Sequence, residues 1–333
     1  MGLPMKTGKK WRTAGICVLI AAVLQGCQVT GSEVIVNADS AGNEVFKIKD
    51  EVCTLPEARV VLTNYQNMYD TTYGINLWEH EFKDKELETY VKDLTISRLA
   101  QIMAMDYLAQ DNGIILEEEE QEKIKQAAKE YFDSLNDAEK EYMQVKQDDI
   151  ETLYTRYGLA NKLYTHLTQG VNDEVSDEEA RVMEAQQILV SDEEKAGEVE
   201  QQLEEGNDFL TVANRYNEAA ETEVFFSKNG VEQAVAEVVF SLENEEVSKR
   251  IKAEEGYYFV KCINHYDQAR TDDNKSVILE ERRKEAFDDV YQGFLIDLPS
   301  EINERLWNEV KVEVNEELTT DSFFRVYEKY CTW

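Results

Sequence analysis

The hydrophobic rhythm of this chain changes twice, and those changes constrain its fold more than any single motif. Up to about residue 170 apolar side chains recur every three or four positions, the spacing of helices that bury one face. At Asn172 to Glu179 the pattern gives way to short runs in the order strand, helix, helix, strand, helix, strand. From Asp273 to Asp297 it is helical again, and Pro299 marks the end. A compact mixed segment between helices predicts an α+β protein with a helical domain and a second, smaller domain. Only 15 glycines and 3 prolines occur in 333 residues, which excludes collagen-like and Pro/Gly-rich low-complexity chains.

Within the helical part, Val45 to Ile48 and Val52-Cys53 flank Lys49-Asp50-Glu51 as a short hairpin. Thr54-Leu55-Pro56-Glu57 then supplies a capping box with proline in the first turn, and Ala58, Val61, Leu62, Tyr65, Met68 and Tyr69 share one face of the helix it opens. A central helix is predicted from Asp84 to Gln110, stopping at Asn112-Gly113. Glu117 to Glu120 open the next, where carboxylates complement the positive helix end, so they read as solvated structural residues and not as a cation site. A further helix spans Asp148 to Thr168 with the stripe Ile150, Leu153, Tyr154, Tyr157, Ala160, Tyr164 and Leu167. Methionine and tyrosine on these faces fit ordinary core, with a client-binding groove as the alternative.

In the mixed segment Ser176 and Glu179 form a capping box, Gln187 to Val190 is a strand, and Ser191 to Leu203 a helix opened by Ser191 with Glu194 and closed near Gly206. Phe209 to Tyr216 is a second helix, Val224 to Phe226 a strand, Val231 to Phe240 a helix, and Val247 to Ala253 with Tyr257 to Ile263 a hairpin turning at Glu254-Glu255-Gly256. The last helix carries Ile278, Ala286, Phe287, Val290, Tyr291, Phe294 and Leu295 as a stripe that needs a surface to cover it. The N-terminal helices offer one.

The first residues read as an address. Lys6, Lys9, Lys10 and Arg12 precede the apolar run Ala14 to Leu24, the layout of a secretory signal, and 11 apolar residues fall short of the roughly 20 that span a bilayer. The run ends in Leu24-Gln25-Gly26-Cys27, which resembles the lipobox of bacterial lipoproteins. That resemblance implies cleavage of residues 1–26, diacylglycerol on the Cys27 sulfur and an anchor at the outer face of the cell membrane. Small polar residues over 27–44 read as a tether.

Sixty-nine acidic residues face 35 basic ones, a formal net charge of −34, and such a surface repels phosphate backbones; nucleic acid is excluded as a partner. With Cys17 in the signal and Cys27 lipidated, Cys53, Cys262 and Cys331 remain, too scattered for a zinc or dithiol site, and Cys53 and Cys262 read as apolar packing. His80, His166 and His265 read as surface or packing residues. No metal or cofactor motif and no phosphate loop or Ser/His/Asp series is present.

Gln187-Ile188-Leu189-Val190, Ala196 to Gly206, Asp208-Phe209 with Ala213 and Tyr216, Val239-Phe240-Ser241-Leu242, Val247-Ser248 and Gly256-Tyr257-Tyr258-Phe259-Val260-Lys261 resemble, in order and spacing, a parvulin-type (rotamase) peptidyl-prolyl isomerase domain. A lipoprotein signal, a helical segment before that domain and a returning helix after it are similar to the PrsA-like and SurA-like extracytoplasmic foldases. The resemblance implies a helical SurA-N-like chaperone domain over 45–175, a parvulin-like domain with a four-stranded antiparallel sheet over 176–267, and a C-terminal helical segment, 268–333, packing on the first. Family members carry histidines where this chain has Gln187 and Tyr258, and a Gly-Gly-Asp-Leu-Gly type of loop that is shortened here. The pocket implied by the resemblance is Gln187, Tyr258, Phe225, Phe226, Val231 and Val235, with Gln187 and Tyr258 able to bond each other.

Two functions follow from that resemblance. The first is an anchored chaperone for secreted polypeptides that shelters clients between its two domains, with isomerase activity weak or lost. The second is an active prolyl isomerase with a non-histidine pocket, since twisting an amide past its ~18–20 kcal/mol barrier requires desolvation and a hydrogen-bond field but no nucleophile. The acidic surface would attract basic segments or wall-associated cations, screened beyond about 8 Å in physiological salt. A homodimer through the helical part is compatible with the pattern.

Overall fold

The computed structural model describes residues 34–36, 42–74, 77–78, 81–82, 85–296, 298–312 and 315–333. The stretch read as a secretory signal, Cys27 and His80 lie outside them. Two compact units emerge: a larger one of the described residues up to Gly170 together with Lys284–Trp333, and a smaller one, Val171–Arg283. The α+β class holds: helices build most of the larger unit and an antiparallel sheet organises the smaller.

The larger unit begins with a strand inside the stretch read as tether, Val34–Val36 (β1). Its Val-Ile-Val run is β-branched throughout and pairs in parallel with Ser300–Ile302. Glu44–Ile48 (β2) and Glu51–Thr54 (β3) form the expected hairpin. Thr54 and Glu57 then cap Leu55–Tyr73 (α1) reciprocally, the Thr54 N–H donating to Glu57 Oε2 at 2.7 Å. Glu81–Phe82 (β4) and Lys85–Glu86 (β5) pair briefly, so the central helix, Leu87–Asp111 (α2), starts later than its Asp84 forecast. It ends at Gly113, whose φ of +68° is the left-handed conformation a helix stop requires. Glu118–Ser134 (α3), Asp137–Met143 (α4) and Gln147–Thr168 (α5) follow. Tyr131, Tyr154, Tyr157, Met103 and Met143 are buried core, whereas Tyr65, Tyr69 and Tyr164 are half-buried and Met68 is exposed.

In the smaller unit Asp177–Ala180 (α6) leads into Val182–Val190 (β6), longer than read from sequence because Val182 to Gln186 pair with Glu223–Ser227 (β7). Glu193–Glu204 (α7) is capped by Asp192, which accepts from the Glu194 and Lys195 amides at 2.9 and 3.0 Å. Ser191, the expected cap, instead donates to Glu218, whose carboxyl is drawn down to about 2 by Lys195 and by Ser191. Phe209–Tyr216 (α8), Gln233–Val239 (α9), Ile251–Ala253 (β8), Gly256–Asn264 (β9) and Gln268–Leu295 (α10) complete the order, and the sheet runs β7-β6-β9-β8, antiparallel throughout.

The chain re-enters the larger unit at Lys284, within α10, and then forms Ser300–Ile302 (β10), between β1 and β2, followed by Glu304–Glu309 (α11) and Phe323–Tyr330 (α12). The C-terminal segment is therefore part strand, a departure from the all-helical expectation that arises because β10 completes the edge offered by β2. On α10, Phe287 and Tyr291 are buried, and Phe287 lies 5.4 Å from the Tyr164 ring of α5. Asn64 accepts from the Phe323 amide at 3.0 Å and the Tyr154 hydroxyl donates to the Phe323 carbonyl at 2.7 Å, pinning the start of α12 in the aromatic core. Cys53, Cys262 and Cys331 are free and buried, and burial raises the thiol pKa of each.

Candidate functional site

Side chains alternate across a strand, so β6 deals its residues to two faces. Ile188 and Val190 meet Phe259 of β9 and the helices α7 and α8 through Val199, Phe209 and Val212. Met183 and Ala185 turn the other way, against Val260 and Cys262 of β9, Phe226 of β7 and Val235 and Val239 of α9. Gln187 belongs to this second face: it stands opposite Val260, and Tyr258 opposite Leu189. Gln187 and Tyr258 are thus diagonal neighbours on adjacent strands, roughly 7–8 Å apart for that relation.

They do not bond each other, contrary to the sequence expectation. The Gln187 Nε2 donates to the Glu221 carbonyl at 3.1 Å, and the Tyr258 hydroxyl donates to Glu255 Oε2 at 2.9 Å. Each polar tip finds a nearer partner: the loop entering β7 brings Glu221 to Gln187, and the β8–β9 turn places Glu255 three residues before Tyr258. Burial and the carboxylates of Glu255 and Glu232 push the Tyr258 phenol up to about 12, so it keeps its proton at neutral pH. Glu232 is itself fixed, its Oε2 accepting from the Glu254 amide at 2.8 Å. Sequence reasoning missed Glu221, Glu232 and Glu255, and nothing but their places in turns would have singled them out.

Phe226, Val231 and Val235 do come together with Tyr258 around one apolar cluster. Phe225 does not. It stands opposite Glu184 whereas Phe226 stands opposite Met183, so its ring points to the other face, 45% exposed, with the Arg270 guanidinium 3.5 Å from its centroid. Alternation alone excludes both phenylalanines from one pocket wall. His265 lies just past β9, its Nδ1 3.0 Å from Asn244 Oδ1, and His166 is in the last turn of α5.

With that geometry in place, similarity to known proteins gains meaning. Residues 171–274 match the family pattern of the PPIC-type PPIase domain. The chain is 24% identical over 275 residues to the foldase protein PrsA of Caldanaerobacter subterraneus subsp. tengcongensis, covering 74% of this chain and 85% of that one. To the foldase protein PrsA of Halalkalibacterium halodurans it is 26% identical over 262 residues, 66% and 78% of the two chains. The chain carries a PPIC-type PPIase domain over 171–274 and is similar to PrsA foldases over most of its length. A crystal structure of the peptidylprolyl isomerase PrsA from Bacillus cereus is similar over 72% of this chain and 92% of that one, at 18% identity and a TM-score of 0.41.

In this PPIC-type domain, then, the apolar framework is assembled, and Gln187 and Tyr258 bring the polar groups to this face. Within that cluster Phe226 and Val235 are buried, and only Val231 and Tyr258 keep part of their surface in contact with solvent. The neutral donors beside it, an amide and a phenol, are both already engaged. Among the described residues this face carries no imidazole, and its one thiol, Cys262, is fully buried and held protonated by that burial.

Proposed function

We propose that the mature chain is a lipid-anchored, extracytoplasmic foldase that binds secreted polypeptides as they fold and has little or no prolyl-isomerase activity of its own. The observation that carries the second half is the engagement of Gln187 by Glu221 and of Tyr258 by Glu255. A twisted imide gains nothing from donors that must first abandon charged or backbone partners. The foldase half rests on relatives that are named foldases and cover most of both chains. Anchoring through Cys27 is supported by the Leu24-Gln25-Gly26-Cys27 sequence behind its apolar run. No helix among the described residues is long and apolar enough to cross a membrane.

One pair of measurements tests the proposal. In a proline-peptide isomerisation assay the mature protein should leave the rate near that of buffer, and Gln187→Ala or Tyr258→Phe should change nothing. In a refolding assay it should suppress aggregation of a client at near-stoichiometric ratios. A robust rate that both substitutions abolish would establish the alternative, an isomerase with a non-histidine pocket. Incorporation of labelled fatty acid, lost in Cys27→Ser, checks the anchor.

A further inference from the structure

Two concave surfaces of the larger unit share a wall. The first, a cleft of about 450 Å³, is apolar: Ile114, Ile115, Leu116, Ile124 and Leu159 line it. Ile115 sits in the loop after α2, held out by the left-handed turn at Gly113, and is 66% exposed. The second, about 400 Å³, is acidic, with Glu51, Asp106, Asp148 and Glu151 around it and Arg156 as its cation. That guanidinium is already committed to Glu57 at 2.8 Å, with Glu51 at 3.5 Å. Glu151 and Thr155 line both clefts, so the apolar surface runs directly into the acidic one. Lys125, on the apolar side, is occupied by Glu122 at 2.7 Å. Asp106, at the acidic end, is 4% exposed and receives a single side-chain hydrogen bond, from Gln110 at 3.2 Å.

We infer that this composite cleft takes extended client segments in which an aliphatic or aromatic residue is followed by lysine or arginine. The volumes suit side chains of that size. The apolar end removes Ile115 and its neighbours from water, and the acidic end holds more carboxylates than its own guanidinium can balance. An acidic client segment meets repulsion at the same place, which makes the cleft selective by charge as well as by grease. The inference rests on the foldase reading and adds the class of segment recognised.

The test uses the full mature chain and two labelled peptides of equal length, alternating leucine with lysine or leucine with glutamate, followed by fluorescence anisotropy. The leucine–lysine peptide should bind and the leucine–glutamate peptide should not. Asp148→Lys with Glu151→Lys should weaken binding by at least about fivefold, and the milder Asp148→Asn with Glu151→Gln by about threefold, as expected for the loss of two part-exposed charge contacts. Ile115→Asn should weaken it as well. Glu204→Lys with Glu205→Lys, an equal charge change on the exposed end of α7, should leave affinity within about twofold. Equal losses in the α7 variant, no loss in the cleft variants, or equal binding of both peptides overturns the inference. So does unchanged suppression of client aggregation by both cleft double variants, which leaves the foldase reading standing. Absence of suppression by the unaltered chain overturns that reading instead.

Discussion

Glu139 offers the sharpest test of how the larger unit is closed. It is fully buried, yet its carboxylate gathers four donors from two distant parts of the chain. The Asn136 amide reaches Oε2 at 2.9 Å as half of the α4 capping box. From the segment before α12, the Thr319 and Thr320 amides reach Oε1 at 2.8 and 2.6 Å, and the Thr320 hydroxyl reaches Oε2 at 2.8 Å. A hydrogen bond to a charged group contributes ~1.5–3 kcal/mol, but Asn136 and Thr319 are exposed enough for water to replace part of the loss. Glu139→Ala should therefore cost about 3 kcal/mol, which for a unit of this size lowers Tm by roughly 6–12 °C. Glu139→Gln should cost about half as much. Its Oε1 still accepts both threonine amides, while its new N–H₂ group faces the Asn136 N–H. Urea titration followed by tryptophan fluorescence is well placed to read this, because Trp307 and Trp333 lie in the same unit. A loss below about 1 kcal/mol for Glu139→Ala would refute the idea that this carboxylate fastens the returning segment to α4.

Further outcomes follow from single residues. Burial, reinforced by Glu51, raises the Asp106 carboxyl to about 6. Between roughly pH 4 and 6 the folded chain keeps a proton that the unfolded chain has lost, so stability falls as pH rises through that window and then levels. Asp106→Asn should remove that slope, its advantage over the unaltered chain growing from near zero at pH 4 to about 2–3 kcal/mol at pH 7 in urea titrations. Gly256 has φ +144°, and a Cβ there would lie 2.4 Å from the Val190 carbonyl oxygen, so Gly256→Ala should destabilise the β8–β9 turn by about 2 kcal/mol or more, read by far-UV circular dichroism. Phe225→Ala, by contrast, removes an exposed ring that meets Arg270 and should cost no more than about 1 kcal/mol while leaving peptide isomerisation and client protection unchanged.

What the sequence disclosed and what it hid divide by range. Thr54 with Glu57, Glu117 with Glu120 and Asp208 before Phe209 are local caps, decided within four residues, and each opens a helix where it was expected. Ser191 misled because Asp192, one residue on, is the better acceptor and Glu218, far along the chain, claims the serine. β1 and β10 escaped notice because neither has a partner nearby in sequence; each three-residue run is a strand only beside the other and β2. The same logic applies at the candidate site. The placing of Gln187 and Tyr258 in one site was implied by the parvulin resemblance, and the register puts them on one face. Their bonds to Glu221 and Glu255 were not, because those depend on where two turns deliver a carbonyl and a carboxylate.

That division also separates the residues that hold the sheet from the polar groups on its face. The residues that hold the sheet are Ile188, Val190 and Phe259 on one face and Met183, Ala185 and Val260 on the other, all 0 or 1% exposed. Burying a large aliphatic or aromatic side chain contributes ~1.5–3 kcal/mol, so all of these positions but the small Ala185 are held strongly by stability. Gln187 and Tyr258 are only half-buried, and their polar ends reach the rim, where Glu221 and Glu255 satisfy them locally. Exchanging such tips costs the fold little, so the framework tolerates changes in the polar groups on its face. Similarity over 171–274 therefore reports the scaffold, and activity on a prolyl bond is decided by the isomerisation assay and not by the sheet.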